Sequence, residues 1–262
     1  MRIALTIAGS DSGGGAGIQA DLKTFQRFGV FGTSVITAIT AQNTRGVSRW
    51  EAVSPDLVRA QIDSIAADLM PAGIKTGMLA NAAVAASVAA AIRDHSFRNY
   101  VLDPVMVATS GDPLMEPAAI DIIRDDLMPQ AALVTPNLHE AAIIVGEKLE
   151  DEDAMAHAAE KMVNEMGAQA ALIKGGHLES GDRVVDILYD GDVRAFRGKR
   201  INTTSIHGTG CTLSAAIVAQ LANGESLHAA VRRAIDYVHN AIATAPGLGS
   251  GHGPLNHLAA DS

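Results

Sequence analysis

The chain has 262 residues, of which 48% are hydrophobic and only 3% are aromatic, and its formal net charge at pH 7 is −9. The length suits one large α/β domain or two small ones, with an aliphatic core. The negative charge argues against nonspecific nucleic-acid binding, and no apolar run reaches the roughly 18 residues that a membrane span needs. The single cysteine excludes an internal disulfide framework, so we expect a reducing, cytoplasmic location.

Strand-like apolar segments alternate with helix-like segments through most of the chain. The first apolar run covers residues 3–8 and leads into a glycine-rich loop at 9–17 and a predicted helix at about 18–28. Further strands are predicted near 33–41, 73–79, 100–104, 132–137 and 170–176, with helices between them. Because the early strands are apolar on both faces, this alternation predicts an α/β fold. Its central sheet would be mostly parallel, with helices on both faces, in one domain spanning residues 1–262.

The pattern changes after residue 176. Segments 184–189 and 193–196 are predicted to form a small β-hairpin with Asp190 and Gly191 at the turn. A glycine loop follows, then a helix from Thr212 to about Leu221 and a last helix at about 226–244. We expect the glycine-rich tail at 246–254 to be ordered only if another part of the chain packs on it.

The segment from His207 to Ser214 gives the clearest indication of chemistry, because a glycine loop turns directly into a helix there. Glycine permits close backbone approach to a ligand, and a helix start offers unpaired amides and a positive dipole end. We expect this position to favour the thiolate of Cys211, which makes it a candidate base. The simpler alternatives are a tight connection and a small buried cysteine. The predicted anion hole consists of Gly208, Thr209, Gly210 and Cys211.

Polar residues follow several predicted strands, and open α/β sheets bind ligands at the carboxyl ends of their strands. Asp103 ends an apolar strand, where a carboxylate needs a partner or a metal. Asn137 and Glu140 are three residues apart at a helix start, so with Asp103 they could hold Mg²⁺, which prefers oxygen ligands. The alternative for Asp103 is a capping role in the Asp-Pro turn, and the alternative for Glu140 is simple placement of negative charge at a helix N-terminus. Lys174 is placed to contact a phosphate, unless it is simply solvated.

Two further residues are candidates for recognising a polar heterocycle. Asp21 lies in the first predicted helix, and Gln42 follows the strand at 33–41. Pairing with a lysine or local capping is the alternative for Asp21. Neither glycine loop contains a Walker A lysine, and there is no metal-spaced histidine or cysteine cluster.

The sequence resembles the hydroxymethylpyrimidine/phosphomethylpyrimidine kinases of thiamine biosynthesis, in the ribokinase-like superfamily. The resemblance covers nearly the whole chain. It rests on the segments AGSDSGGGAGIQAD at 8–21, TAITAQNT at 37–44, DPVM at 103–106, TPNLHEA at 135–141, KGGH at 174–177, HGTGCT at 207–212 and GHGPLNH at 251–257. One departure is Thr109, at a position where the family pattern has lysine.

The resemblance implies transfer of the γ-phosphoryl group of ATP to 4-amino-5-hydroxymethyl-2-methylpyrimidine, and then to its monophosphate. Cys211 would be the catalytic base, with Lys174 and Thr209 contacting the nucleotide phosphates. The residues that would arrange Mg²⁺ and its waters are Asp103, Asn137 and Glu140. The residues that would recognise or enclose the pyrimidine are Gln42, Asp21, Gly9, Met78 and Val105.

Other functions stay open at this stage. The nearest alternative is a pyridoxal or pyridoxine kinase of the same fold, and another is an enzyme that performs only one of the two phosphorylations. A non-catalytic pyrimidine-binding domain is disfavoured, because it would need neither a metal site nor a base. We expect a small-molecule substrate, no nucleic-acid or membrane partner, and a homodimer. The predicted hairpin and the glycine-rich tail are candidates for mobile or oligomer-forming parts.

Overall fold

A computed structural model describes residues 1–108, 110–112, 114–176 and 182–260. Thr109 and His177 of the sequence comparison lie outside these residues. The strands among them are β1 (Ile3–Asp11), β2 (Phe31–Asn43), β3 (Gly46–Ala52), β4 (Gly73–Thr76), β5 (Tyr100–Leu102), β6 (Leu133–Val134), β7 (Ala171–Ile173), β8 (Arg183–Tyr189) and β9 (Val193–Lys199).

These strands form one sheet in the order β3-β2-β1-β4-β5-β6-β7-β8-β9. Six of these strands are mutually parallel, and they are β2, β1, β4, β5, β6 and β7. At the two edges, β3 pairs antiparallel with β2, and the β8–β9 hairpin pairs antiparallel with β7. The structure therefore confirms a mostly parallel sheet and a hairpin near the C-terminal third.

The α-helices of the described residues are α1 (Gly17–Arg27), α2 (Pro55–Asp68), α3 (Ala82–His95), α4 (Ala118–Ile122), α5 (Leu138–Val145), α6 (Glu152–Asn164), α7 (Thr209–Ala222) and α8 (Leu227–Ala243). Two separate apolar clusters show that both faces of the sheet are covered. Leu5 and Leu102 belong to the cluster that includes residues of α2, α3, α5 and α6. Ala4 and Val101, their neighbours in sequence, belong to the cluster with α7 and α8. Alternate residues of one strand thus reach opposite cores.

Several local features differ from the predicted elements. The strand β3 was not predicted, because most of its side chains are partly or fully exposed and it has no apolar run. The helix expected between the predicted strands near 100–104 and 132–137 is short, since α4 gives way to a π-helical turn at Ile123–Leu127 and a 3₁₀ turn at Met128–Gln130. The helix expected to begin at Thr212 begins at Thr209. No helix among the described residues is long and apolar enough to cross a membrane.

The glycine-rich tail packs on two parts of the chain that border the carboxyl edge of the sheet. The His252 amide donates to the Thr44 carbonyl at 2.7 Å, and the His207 amide donates to the Gly253 carbonyl at 3.1 Å. A Cβ on Gly251 would overlap the Thr44 carbonyl oxygen, so only glycine allows this approach. The tail therefore joins the turn after β2 to the loop before α7.

Candidate functional site

A cavity of about 550 Å³ runs along the carboxyl ends of the parallel strands, below the first turn of α7. It is lined by the residues that follow β1, β4, β5, β6 and β7, as the topology of an open parallel sheet requires. Every predicted site residue except Asp21 lines it: Gly9, Gln42, Met78, Val105, Asp103, Asn137, Glu140, Lys174, Gly208, Thr209, Gly210 and Cys211.

The first turn of α7 is held against the glycine loop that follows β1. Gly208 is the N-cap residue and has a left-handed backbone with φ of 83°. A Cβ on Gly208 would overlap the carbonyl oxygen of Gly15. Gly210 and Cys211 lie in the first turn, where amides have no acceptor within the helix. The turn thus combines close packing with backbone donors that can receive an anion.

Asp11, at the end of β1, ties the two loops together. Its Oδ1 accepts from the Gly13 amide at 2.7 Å, and its Oδ2 accepts from the Gly15 and Ala16 amides at 2.9 and 2.8 Å. The ring Nε2 of His207 lies 2.9 Å from the same Oδ2. Burial acts to raise the pKa of Asp11, but the hydrogen bonds from His207 and the amides outweigh it and lower that pKa. Sequence reasoning noted Asp11 as a strand-end residue but assigned it no role.

Asp103 and Lys174 form a charged pair at the floor of the cavity. Lys174 Nζ lies 3.0 Å from Asp103 Oδ1, and the Ser214 hydroxyl donates to Asp103 Oδ2 at 3.1 Å. Burial acts to raise the pKa of Asp103 and to lower that of Lys174, but their mutual attraction outweighs it in both. A Cβ on Gly210 would lie 3.1 Å from Lys174 Nζ, so the ammonium is next to the first turn of α7.

Asn137 and Glu140 form a capping box at the start of α5. The Asn137 side chain accepts from the Glu140 amide at 2.9 Å, and Glu140 Oε2 accepts from the Asn137 amide at 2.8 Å. Burial raises the pKa of Glu140 to about 7, although the charge of Lys174 acts in the opposite direction. Glu140 thus lies in the first turn of α5, as the alternative of N-terminal charge placement held, and its capping bond was not predicted.

The three predicted magnesium ligands line the cavity at the carboxyl edge of the sheet. Among the described residues, no three histidine, cysteine, aspartate or glutamate side chains are grouped to hold a metal ion. The oxygens of Asp103, Asn137 and Glu140 line one cavity, but each residue already accepts hydrogen bonds from the protein. Mg²⁺ prefers oxygen ligands and keeps several waters. The oxygens thus fit Mg²⁺ contacted through water molecules better than three direct side-chain ligands.

The structure corrects the expectation that Asp21 contacts a ligand. Asp21 is fully buried and does not line the cavity. Its Oδ1 pairs with Lys75 Nζ at 2.7 Å, and its Oδ2 accepts from the Thr6 hydroxyl at 2.6 Å. Pairing with a lysine was the alternative left open by the sequence. Lys75 itself was missed, although a lysine inside the otherwise apolar segment GIKTGML was a usable signal.

Cys211 lines the cavity as a partly exposed free thiol. Burial raises its pKa to about 11, and the charge of Lys75 only partly opposes this rise. The expectation that the helix start would lower the pKa and favour a standing thiolate is therefore wrong. The position of the thiol beside the anion-binding turn is as expected.

The two ends of the cavity differ in character. One end contains Gln42, Met78 and Gly9, where a Cβ on Gly9 would lie 2.9 Å from the Met78 sulfur. The other end lies between the β8–β9 hairpin and α8, and its lining is mostly apolar, with Asp186, Lys199, Arg200 and His239 as its polar members. Sequence reasoning missed this second end, because its lining comes from ordinary hydrophobic positions of distant elements: Val184, Phe196, Leu213, Ile235, Val238 and Ile242.

Comparison with known proteins gives a consistent result. A family model for phosphomethylpyrimidine kinase matches residues 11–256. A hydroxymethylpyrimidine/phosphomethylpyrimidine kinase of Rhizobium meliloti is 53% identical over 261 residues, which cover 98% of this chain and 97% of the relative. The solved phosphomethylpyrimidine kinase of Clostridium difficile is 38% identical with a TM-score of 0.82, covering 92% of this chain and all of that one.

An ADP complex of Bacillus subtilis pyridoxal kinase is also similar, with 38% identity, a TM-score of 0.90, and coverage of 99% of this chain and 98% of that one. These matches confirm the resemblance inferred from the sequence and the ribokinase-like α/β fold. The chain belongs to the phosphomethylpyrimidine kinase family.

Proposed function

We propose that the protein phosphorylates 4-amino-5-hydroxymethyl-2-methylpyrimidine with ATP, and then phosphorylates the monophosphate to the pyrophosphate, in thiamine biosynthesis. The observation that carries this proposal is the shared cavity. One space of about 550 Å³ contains the Gln42 end, the Asp103–Lys174 pair, the first turn of α7 and the Cys211 thiol. A hydroxymethyl group held near Gln42 and Met78 would face a phosphate held by that turn.

The proposed roles follow from the charges and donors of these groups. The apolar end between the hairpin and α8 is suited to a nucleotide base. The phosphates of ATP would lie near Lys174 and Thr209, with the transferring group at the amides of Gly208–Cys211. In phosphoryl transfer the protein mainly positions the reactants and stabilises charge on the phosphoryl oxygens. As the substrate oxygen bonds to phosphorus and the bond to the ADP oxygen breaks, Cys211 Sγ would accept the hydroxyl proton.

The raised pKa of Cys211 affects this step in two ways. A pKa of about 11 leaves only a small thiolate fraction near neutral pH, but that thiolate is a stronger base. We therefore expect kcat to rise with pH through the range in which the protein stays folded. Mg²⁺, when bound through the waters around Asp103, Asn137 and Glu140, would neutralise the charge that develops on the phosphate oxygens.

Pyridoxal kinase activity is the second candidate, and the similarity to the Bacillus subtilis pyridoxal kinase favours keeping it. The two activities differ in the ring that the Gln42 end must accept. An enzyme that performs only one of the two pyrimidine phosphorylations would share all of the site residues.

The test is a phosphate-transfer assay with ATP, Mg²⁺ and a panel of hydroxymethylpyrimidine, its monophosphate, pyridoxal and pyridoxine. Release of ADP and the mass of the product would be measured for each compound. We expect both pyrimidines to be converted, with a higher kcat/KM than either pyridine. Conversion of pyridoxal alone, or of no compound, would contradict the proposal. Cys211→Ala should lower kcat far more than it changes binding, and an unchanged rate would refute the role of the thiol.

Assembly and location are also proposals. A homodimer is proposed as well, and Phe31 and Ile39 of β2, which are 50% and 59% exposed, are apolar side chains that a partner would cover. Light scattering would measure the mass in solution.

A single domain over residues 1–262 is supported by the continuous sheet, and it predicts one cooperative unfolding transition. A cytoplasmic location is supported by the unpaired cysteine and the need for ATP.

A further inference from the structure

Lys75, in the middle of β4, carries a fully buried ammonium group beneath the candidate site. Its Nζ lies 2.7 Å from Asp21 Oδ1, 3.5 Å from the carbonyl oxygen of Cys211 and 4.0 Å from Asp103 Oδ2. The lysine therefore faces two carboxylates and one backbone carbonyl of the α7 turn at the same time. It does not line the cavity, so it acts through these three contacts and through its charge, which also acts on the Cys211 thiol.

Such a group is costly to bury. Removing an ammonium and a carboxylate from water costs several kcal/mol per ion, and well-packed apolar residues often stabilise a fold equally well. A buried ion pair is therefore weak evidence for a role in stability. Asp21 accepts hydrogen bonds from both Lys75 and Thr6, so the pair is fixed in one geometry. A rigid ion pair of this kind can hold the neighbouring side chains and backbone groups in place.

The groups that Lys75 faces lie where the cavity floor meets the first turn of α7. One carboxylate oxygen of Asp103 accepts a hydrogen bond from Lys174, and the other accepts one from Ser214. The Ser214 hydroxyl also lies 3.0 Å from the Gly210 carbonyl oxygen and 3.1 Å from that of Cys211. Asp21, Lys75, Asp103 and Lys174 thus form a chain of alternating charges from the interior to the cavity floor. Ser214 and Lys75 both contact carbonyls of the first turn of α7.

We propose that Lys75 is a positioning residue for phosphoryl transfer, which acts by fixing the Cys211 carbonyl and the Asp103 carboxylate beneath the first turn of α7. The orientation of a peptide carbonyl fixes the direction of the amide that belongs to the same peptide group. The Cys211 carbonyl shares its peptide group with the Thr212 amide, which donates to the Gly208 carbonyl at 2.9 Å, so Lys75 fixes the peptide group that closes this turn. Through Asp103 and Ser214, Lys75 also supports the Gly210 carbonyl, whose peptide group contains the Cys211 amide. The inference rests on the proposed function in one respect, which is that the first turn of α7 receives the transferring phosphoryl group.

The test compares Lys75→Met, Asp21→Asn and the double variant Lys75→Met/Asp21→Asn. Each single change leaves a buried charge without its partner, so both should lower the midpoint of thermal unfolding. The double variant removes both charges and should recover most of the midpoint. We expect kcat to stay lowered about 10- to 100-fold in the double variant, because the α7 turn has lost its support. KM for the pyrimidine should change by less than about threefold.

The matched control is Thr76→Val/Tyr100→Phe, on the next residue of β4. The hydroxyls of Thr76 and Tyr100 are 2.8 Å apart, fully buried, and do not line the cavity. Removing both should leave kcat within about twofold of the wild type. A double variant of Lys75 and Asp21 that recovers the kcat of the wild type together with its stability would overturn the proposal. A double variant that fails to fold would overturn it too, because the pair would then be required for the fold itself.

The wild-type protein, assayed in parallel, separates this inference from the proposed function. If the wild type phosphorylates neither pyrimidine, the proposed function fails. If the wild type is active and the double variant is equally active, only the role of Lys75 fails.

Discussion

Gly208 lies against the carbonyl oxygen of Gly15 with no room for a side chain between them. The two residues come from loops that are almost two hundred positions apart in sequence, and Asp11 and His207 join the same loops through a hydrogen bond of 2.9 Å. The first turn of α7 is therefore held in place by the contact of two glycine loops, not by one loop alone. Its geometry depends on the absence of a Cβ at one position.

Gly208→Ala is expected to lower both stability and kcat. The alanine would adopt a left-handed φ, which costs about 1–2 kcal/mol, and its Cβ would also push the two loops apart. Gly224→Ala is the matched control, since Gly224 has φ of 95° with nothing within 4 Å of an added Cβ. Urea unfolding and steady-state kinetics of both variants would test this. Equal losses of stability and kcat in the two variants would contradict the loop contact.

Alkylation of Cys211 should be slow at neutral pH. Burial raises the pKa of the thiol to about 11, so the rate with iodoacetamide should rise about tenfold per pH unit up to pH 10. Because the chain has one cysteine, the mass of the intact protein reports this site alone. Glutathione, measured in the same buffers, is the reference for an ordinary thiol. A rate that levels off below pH 9 would mean that the pKa is not raised.

Lys174→Met should weaken ATP binding and lower kcat. The change removes the ammonium next to the α7 turn. Among the described residues, Lys75 is then the one cation near the Asp103 carboxylate, which is 1% exposed. We expect KM for ATP to rise at least about tenfold, while KM for the pyrimidine changes little. Lys161→Met is the control, because Lys161 of α6 pairs with Glu147 and neither residue lines the cavity. An unchanged KM for ATP would reject phosphate contact by Lys174.

His257 should make the protein less stable in mild acid. Its Nε2 lies 3.1 Å from the Thr212 hydroxyl, and burial, with a smaller effect from Lys23, lowers its pKa to about 4 from an ordinary value of 6.5. Between these two values the unfolded chain binds more protons at this residue than the folded protein does. The contribution of His257 is therefore constant above pH 6.5 and is lost as pH falls toward 4.

Urea unfolding of the wild type and of His257→Gln from pH 4.5 to 8 would measure this dependence. The glutamine variant should lack the part of the acid slope that begins near pH 6.5. Parallel curves for the two proteins would show that His257 does not titrate in this way.

The sheet and most site positions could be predicted because they depend on local patterns. Apolar strands that alternate with capped helices indicate a parallel sheet, and the ends of its strands then identify Asp103, Asn137 and Lys174. The roles of Asp21 and Lys75 could not be predicted in the same way. Their pairing joins α1 to β4 across 54 positions, and only the folded structure shows that both are fully buried.

The pKa of Cys211 was predicted in the wrong direction for a similar reason. The helix start is visible in the sequence, but the burial that outweighs it is not. The apolar end of the cavity was missed because Phe196 and Ile235 are hydrophobic positions on the hairpin and α8 that no motif distinguishes. The edge strand β3 was missed because its exposed side chains give no alternating apolar pattern.

The docking of the tail has a consequence for how the protein is made. Residues 9–17 leave the ribosome long before His207 does, yet their loop is completed by His207, and His207 is in turn held by Gly253. A nascent chain that ends before residue 253 cannot close this side of the pocket. Closure of the pocket therefore has to wait until translation has passed Gly253, however early the parallel strands pair.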